Sequence, residues 1–159
     1  AIEDGALYPY TQTLKVYRCP TVERDRPRTY ATVDSMNCKD WLNHGEMPGS
    51  VMIKKRSRIT EPSFRHVYVD DGGTGFNALG GWTVYVLAYK WWDPPPIRHG
   101  KGTNFSYADG HSEFWKWEDP RTIAFGEKIP LTAFSEVQDG NPDIRKSAIA
   151  MWGTAARRR

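Results

Sequence analysis

The sequence predicts one α+β domain, an antiparallel sheet of about four or more strands with helices on one face. Three observations carry this prediction. Segments such as 64–70 and 104–117 alternate apolar and polar side chains between turn residues, as half-buried strands do. The 14 Gly and 11 Pro among 159 residues punctuate the chain too often for a helix bundle. Asn141-Pro142-Asp143 reads as N-cap, first helical residue and dipole-compensating acid, which opens one clear helix. The length suits a single domain over residues 1–159, and 7 Trp, 8 Tyr and 6 Phe exclude a disordered chain. A domain of this size buries roughly 70% of its unfolded surface and needs no metal or disulfide merely to fold.

The elements follow in order. Leu14 to Arg18 alternates and stops at Cys19-Pro20, which predicts a short strand. A second strand spans Tyr30 to Met36, with Ala31, Val33 and Ser35 on one face. Asp40 to Met47 gives one helical turn before Pro48-Gly49, and Phe64 to Asp70 is a clear strand. Trp82 to Trp92 reads as the longest β run and as the strand on which the sheet is built. Asp109-Gly110 reads as a two-residue type I′ turn, which sets Phe105 opposite Phe114 and Tyr107 opposite Ser112. In that register Phe105, Tyr107 and Phe114 face the core, while Trp115 and Trp117 lie on a partly wet face. After Asp119-Pro120 the chain reads as irregular. The last helix carries Ile144, Ala148, Ile149 and Trp152 on one stripe and ends at Gly153, leaving 154–159 as a disordered tail.

Charge narrows the partners. Arg157, Arg158 and Arg159 supply the net +3, so the body of the chain is near neutral. A nucleic-acid binder carries its charge as a structured patch. The internal run Lys54-Lys55-Arg56-Ser57-Arg58 reads as a solvated strand end or turn, so no nucleic-acid partner is expected. The uncharged run 72–89 contains five glycines and Asn77 and falls short of the ~20 apolar residues of a membrane span. The chain starts without Met or a signal peptide, as a processed or truncated product would.

Cys19 and Cys38 stand outside any CxxC, and the four histidines lack zinc-set spacing. The cysteines are either a disulfide, worth roughly 3 kcal/mol, or two free thiols. No GxSxG, GxGxxG or Walker-type loop supports nucleophilic or phosphate chemistry, so no catalytic residues are assigned and no enzyme is expected.

Arg98-His99-Gly100, nine residues between His99 and Asp109, and then Asp109-Gly110-His111 resemble the H-X9-DG domain of prepilin-like proteins. Gly5-Ala6-Leu7-Tyr8-Pro9-Tyr10, Val16-Tyr17-Arg18-Cys19-Pro20, Ile59 with Pro62-Ser63, and Asp119-Pro120-Arg121-Thr122 fit the same family, over roughly residues 5 to 153. The resemblance implies the globular head of a type IV pilin or a type II secretion pseudopilin, outside the cytoplasmic membrane. Its partners would be copies of itself or related subunits in a filament, with a hydrophobic stalk helix before Ala1 or on a separate chain as the membrane link. That helix is absent from the sequence in hand.

The motif has two readings. His99, Asp109 and His111 form a shared metal or acid–base site only if Gly100 to Thr103 doubles the chain back. Otherwise a strand rise of about 3.3 Å per residue carries His99 away from the turn, and Gly110 serves the turn while His99 pins the hairpin base. The second reading is preferred. The alternating oxygens of Asp139-Gly140-Asn141-Pro142-Asp143 make Asp139, Asn141 and Asp143 candidate calcium ligands, which the resemblance to calcium-binding pseudopilin heads supports, although helix capping explains the same residues. No other cofactor is expected. Asp70-Asp71-Gly72-Gly73 reads as a solvated turn or, less favourably, a cation site. A carbohydrate- or calcium-binding surface module is the alternative function, with Trp91, Trp92, Trp115 and Trp117 as the sugar-stacking platform; an enzyme of unassigned reaction ranks third.

Overall fold

The computed structural model describes residues 2–22, 27–38, 52–71, 81–128 and 135–157. In chain order its elements are α1 (Tyr8–Thr11), β1 (Tyr30–Val33), β2 (His66–Asp70), β3 (Gly81–Trp82), β4 (Lys90–Trp91), β5 (Gly102–Tyr107), β6 (Ser112–Lys116), α2 (Pro120–Gly126), β7 (Glu136–Val137), α3 (Pro142–Trp152) and α4 (Thr154–Arg157). Five strands make the main sheet in the order β3-β1-β2-β5-β6, and β4 pairs with β7 apart from it. Every pairing is antiparallel except β1 with β3. The fold is therefore mixed α and β, with a mostly antiparallel sheet. The expected helical turn over 40–47 lies outside the described residues.

The β5–β6 hairpin corrects the expected register. Gly110 N–H donates to Tyr107 O (3.0 Å) and Tyr107 N–H to His111 O (2.9 Å), so the loop holds three residues, not two. Gly110 has φ +101°, while Asp109 keeps a negative φ. A type I′ turn needs positive φ at both central residues; a type I turn followed by a glycine does not. The extra loop residue shifts the pairing by one, to Asn104 with Phe114 and Thr103 with Trp115. Because side chains alternate with period two, one step exchanges the faces. Trp115 and Trp117 are buried with Phe105 and Tyr107, and Phe114 is exposed beside Asn104.

The 82–92 segment also departs from expectation. It folds back on itself: Val84 bridges Trp91, Tyr85 N–H donates to Lys90 O, and Asp93 Oδ2 accepts from Thr83 N–H. Its side chains lack the alternation of a half-buried strand, since residues 82–86 are all buried. The sheet is instead built around β2 and β5. Leu14–Tyr17 is a 3₁₀ turn rather than a strand, capped by Thr13 Oγ1 accepting from Lys15 N–H. Asp119 caps α2, where an irregular chain was expected, by accepting from Arg121 N–H with Pro120 at the first position. Residues 154–157, expected in a disordered tail, form α4 with Ala156 buried.

Helix α3 begins as its sequence signals. Asn141 Oδ1 accepts from the Asp143 and Ile144 N–H groups, and Gly153 (φ +67°) ends the helix. Ile144, Ala148, Met151 and Trp152 join the core, and Trp152 Nε1–H donates to Val84 O. The inner face of the sheet is an aromatic stack. Phe105 lies parallel to His66 at 3.9 Å and meets Trp82, Trp115 and Trp117 at 5.0–6.2 Å.

Candidate functional site

The outer face of the same strands presents Tyr30 and Thr32 of β1, Tyr68 and Asp70 of β2, Asn104 and Ser106 of β5 and Ser112 of β6. The N-terminal segment crosses this face. Between segment and sheet lies a groove of about 760 Å³ with Leu7, Thr11, Val16 and Tyr17 as its upper wall. Leu7 and Tyr10 are 57% and 87% exposed, and Leu14 and Val16 are exposed as well.

Cys19, Asp70 and His99 line one part of the groove. Asp70 ends β2, and its backbone O accepts from Thr103 Oγ1–H at 2.6 Å, which ties it to β5. His99 stands just before β5, where its N–H donates to Gly102 O. Cys19 follows the 3₁₀ turn and is fixed by its N–H donating to Thr29 Oγ1 at 2.7 Å. His99 Nε2 lies 2.7 Å from Asp70 Oδ2 and 3.7 Å from Cys19 Sγ. Arg98 Nη2 donates to Asp70 Oδ1 at 2.6 Å and lies 3.4 Å from the same His99 nitrogen. Thr21 Oγ1 is 3.1 Å from Cys19 Sγ.

Electrostatics follow from the crowding. The Tyr30 phenol is raised above its ordinary value, first by burial and then by the Asp70 and Cys19 charges. Asp71, next to Asp70, is pushed up to about 7 by burial and by its neighbour's charge, against the opposing pull of Arg28 and Arg98. The chemistry of the trio follows from which nitrogen is used. A nucleophile–base–orienter relay engages the two imidazole nitrogens separately. Here the thiol and the carboxylate both address Nε2, so the three groups converge on one point and form no relay.

The residues singled out by sequence go to separate places. His99 sits at the hairpin base and Asp109 at its turn, with all of β5 between them. Asp109 Oδ1 instead bonds His111 Nδ1 at 2.6 Å, and hydrogen bonds from His111 hold its carboxyl below the usual range. No disulfide joins Cys19 and Cys38: Cys19 lies beside His99, and Cys38 packs against the edge of the core. Two of the three calcium candidates spend side-chain oxygens inside the protein. Asn141 Oδ1 caps α3, and Asp143 accepts from the Glu118 and Asp119 N–H groups. Asp139 is exposed, and its backbone O takes Arg121. Trp91, Trp115 and Trp117 are core residues and Trp92 is only half-buried, so the four expected stacking residues do not share an exposed platform. Arg56–Arg58 is an exposed 3₁₀ turn.

Sequence reading missed the partnership of Cys19 and Asp70 with His99. Both residues stand in segments that the sequence marks, Arg18-Cys19-Pro20 and Asp70-Asp71-Gly72, but separations of 80 and 29 residues hide the contact. No described helix is long and apolar enough to cross a membrane. No family model, curated protein or solved structure matches the chain.

Proposed function

We propose that this domain is the head of a subunit in an extracellular filament of the pilus or pseudopilus kind, and that the outer face of its sheet is the surface assembly covers. The role is structural and includes no reaction. The H-X9-DG resemblance supplies the family reading. The observation that carries the surface is the distribution of exposed apolar side chains. Among the eight large exposed hydrophobics of the described residues, Leu7, Tyr10, Leu14 and Val16 lie on the N-terminal segment, and Tyr68 and Phe114 lie on the outer face. Monomeric proteins seldom leave such groups together without a partner. The occupant that fits is an apolar helix of the assembling filament, because Leu7, Val16 and Tyr17 give the groove a largely apolar upper wall.

Sedimentation of the domain with and without an apolar stalk-type helical peptide tests this. A complex is expected with the peptide. Leu7→Ser combined with Val16→Ser should abolish that complex without lowering the melting temperature, since both side chains are already exposed. A domain that stays monomeric and indifferent to the peptide overturns the proposal.

A further inference from the structure

We propose that Cys19, Asp70 and His99 form a binding site for a divalent transition metal, with zinc as the ion that best suits the donors. The inference stands apart from the assembly proposal and rests on three observations. First, one thiol sulfur, one imidazole nitrogen and one carboxylate oxygen lie within 4.8 Å of one another, the one such trio of His, Cys, Asp and Glu among the described residues. Second, the spacing suits a tetrahedral ion. Zinc–sulfur and zinc–nitrogen bonds of about 2.3 and 2.1 Å at the tetrahedral angle separate the two donors by roughly 3.6 Å. The observed Sγ to Nε2 distance is 3.7 Å. Third, the donors are held from behind. Arg98 engages Asp70 Oδ1 and leaves Oδ2 directed at His99, and Thr29 fixes the Cys19 backbone.

Thiolate and imidazole favour zinc or a similar borderline ion over calcium or magnesium, which prefer all-oxygen sites. Coordination sends the Cys19 thiol proton to solvent and leaves the Nε2 lone pair of His99 facing the ion, with the ring proton on Nδ1. The 2.7 Å contact between His99 and Asp70 then opens by about 0.6 Å to tetrahedral spacing. The groove, which the three residues line, supplies the fourth position. The Arg98 charge, 3.4 Å from Nε2, places the affinity below that of an all-thiolate site. A bound ion would staple three distant points of the chain, residues 19, 70 and 99.

The test is titration of the reduced domain with zinc chloride by calorimetry, and with cobalt(II) by absorption. One ion per chain is expected, with a thiolate-to-cobalt charge-transfer band and tetrahedral d–d bands. Cys19→Ser and His99→Gln should each weaken binding by roughly a hundredfold or more. Cys38→Ser and Asp139→Asn should leave it unchanged. The chain has only 2 Cys, so a charge-transfer band in Cys38→Ser can come only from Cys19. That measurement decides the matter even if Cys19→Ser does not fold. Absence of the band in Cys38→Ser, or zinc affinity unmoved by Cys19→Ser or His99→Gln, overturns the assignment.

Discussion

The two faces of the sheet are made by alternate residues of the same strands, yet they are different materials. Inward, Val33, Val69, Phe105 and Trp115 are at most 6% exposed and belong to one core cluster, with Phe105 and Trp115 edge to face. Outward, Tyr30, Thr32, Tyr68 and Ser106 floor a groove that runs to a thiol, an imidazole and a carboxylate. Stability resides in the first set and the proposed binding chemistry in the second, separated by a single step of register. A substitution should therefore reveal its face by its cost.

The largest effect sharpens that contrast across the hairpin. Phe105→Ala removes a fully buried ring and should cost about 3–5 kcal/mol. Phe114→Ala, at a position 48% exposed, should stay within roughly 0.5 kcal/mol. Urea unfolding measures both. Equal losses would mean that the hairpin uses the two-residue turn after all, with Phe114 in the core.

His66 breaks the rule that the inner face is apolar. Its ring is fully buried, stacked on Phe105, and both nitrogens lack a hydrogen-bond partner. Burial, with help from the Lys146 and Arg65 charges, lowers its pKa to about 3. A base whose folded pKa lies below its unfolded value of about 6.5 takes up protons more readily when unfolded. Its contribution is therefore complete above pH 6.5 and is lost as the pH falls from there toward 3. By pH 5 the loss should reach about 2 kcal/mol relative to pH 8. Asp71, raised to about 7, acts in the opposite sense: its unfolded form releases the proton first, so stability falls as pH rises from about 4 to 7. The two slopes partly cancel in the native chain. Urea midpoints at pH 5 and pH 8 should separate them. In His66→Phe the acid loss should disappear and leave the downward slope from Asp71 and from Asp93, whose carboxyl burial also raises; an unchanged pH profile would place His66 outside the core.

Gly110 tests the turn itself. A Cβ there meets nothing within 4 Å, so the penalty for a side chain is conformational rather than steric contact with neighbours. At φ +101° Gly110→Val should cost about 1–2 kcal/mol, read as a lower urea midpoint. An unchanged midpoint would remove the structural role of the glycine and restore a functional one.

What the sequence disclosed and what it hid follow from range. Helix α3 was legible because Asn141, Pro142 and Gly153 act on their own neighbours. The inward set of β1, Ala31 and Val33, was legible from alternation. The hairpin was legible as a hairpin, but Asp109-Gly110 serves both a two-residue and a three-residue loop, and nothing local decides between them. The 82–92 segment was misread because an apolar run without alternation fits a strand or a folded-back loop equally well. In the site, His99 stood out through its motif. Its partners did not, because a contact between residues 19 and 99 is made by the fold and leaves no trace in spacing.

The smallest expected effect separates the two ends of that motif. Asp109 and His111 form an exposed pair at the tip of the hairpin, with the imidazole stacked on Tyr107 at 4.1 Å. Solvent screens such a pair, and both groups are hydrated without it. His99 is less exposed and bonds a carboxylate whose residue is only 3% exposed, tied in turn to Arg98. Removing one partner there leaves buried polar atoms unmatched, which water at the tip would prevent. Asp109→Ala should therefore leave the melting temperature unchanged within error, in low and high salt alike. His99→Ala should lower it measurably, and by a similar amount in both salts, because ions scarcely screen a contact shielded from solvent. If Asp109→Ala instead destabilised as much as His99→Ala, the two ends would be acting together, and the division between a polar hairpin tip and a structured sheet edge would fail.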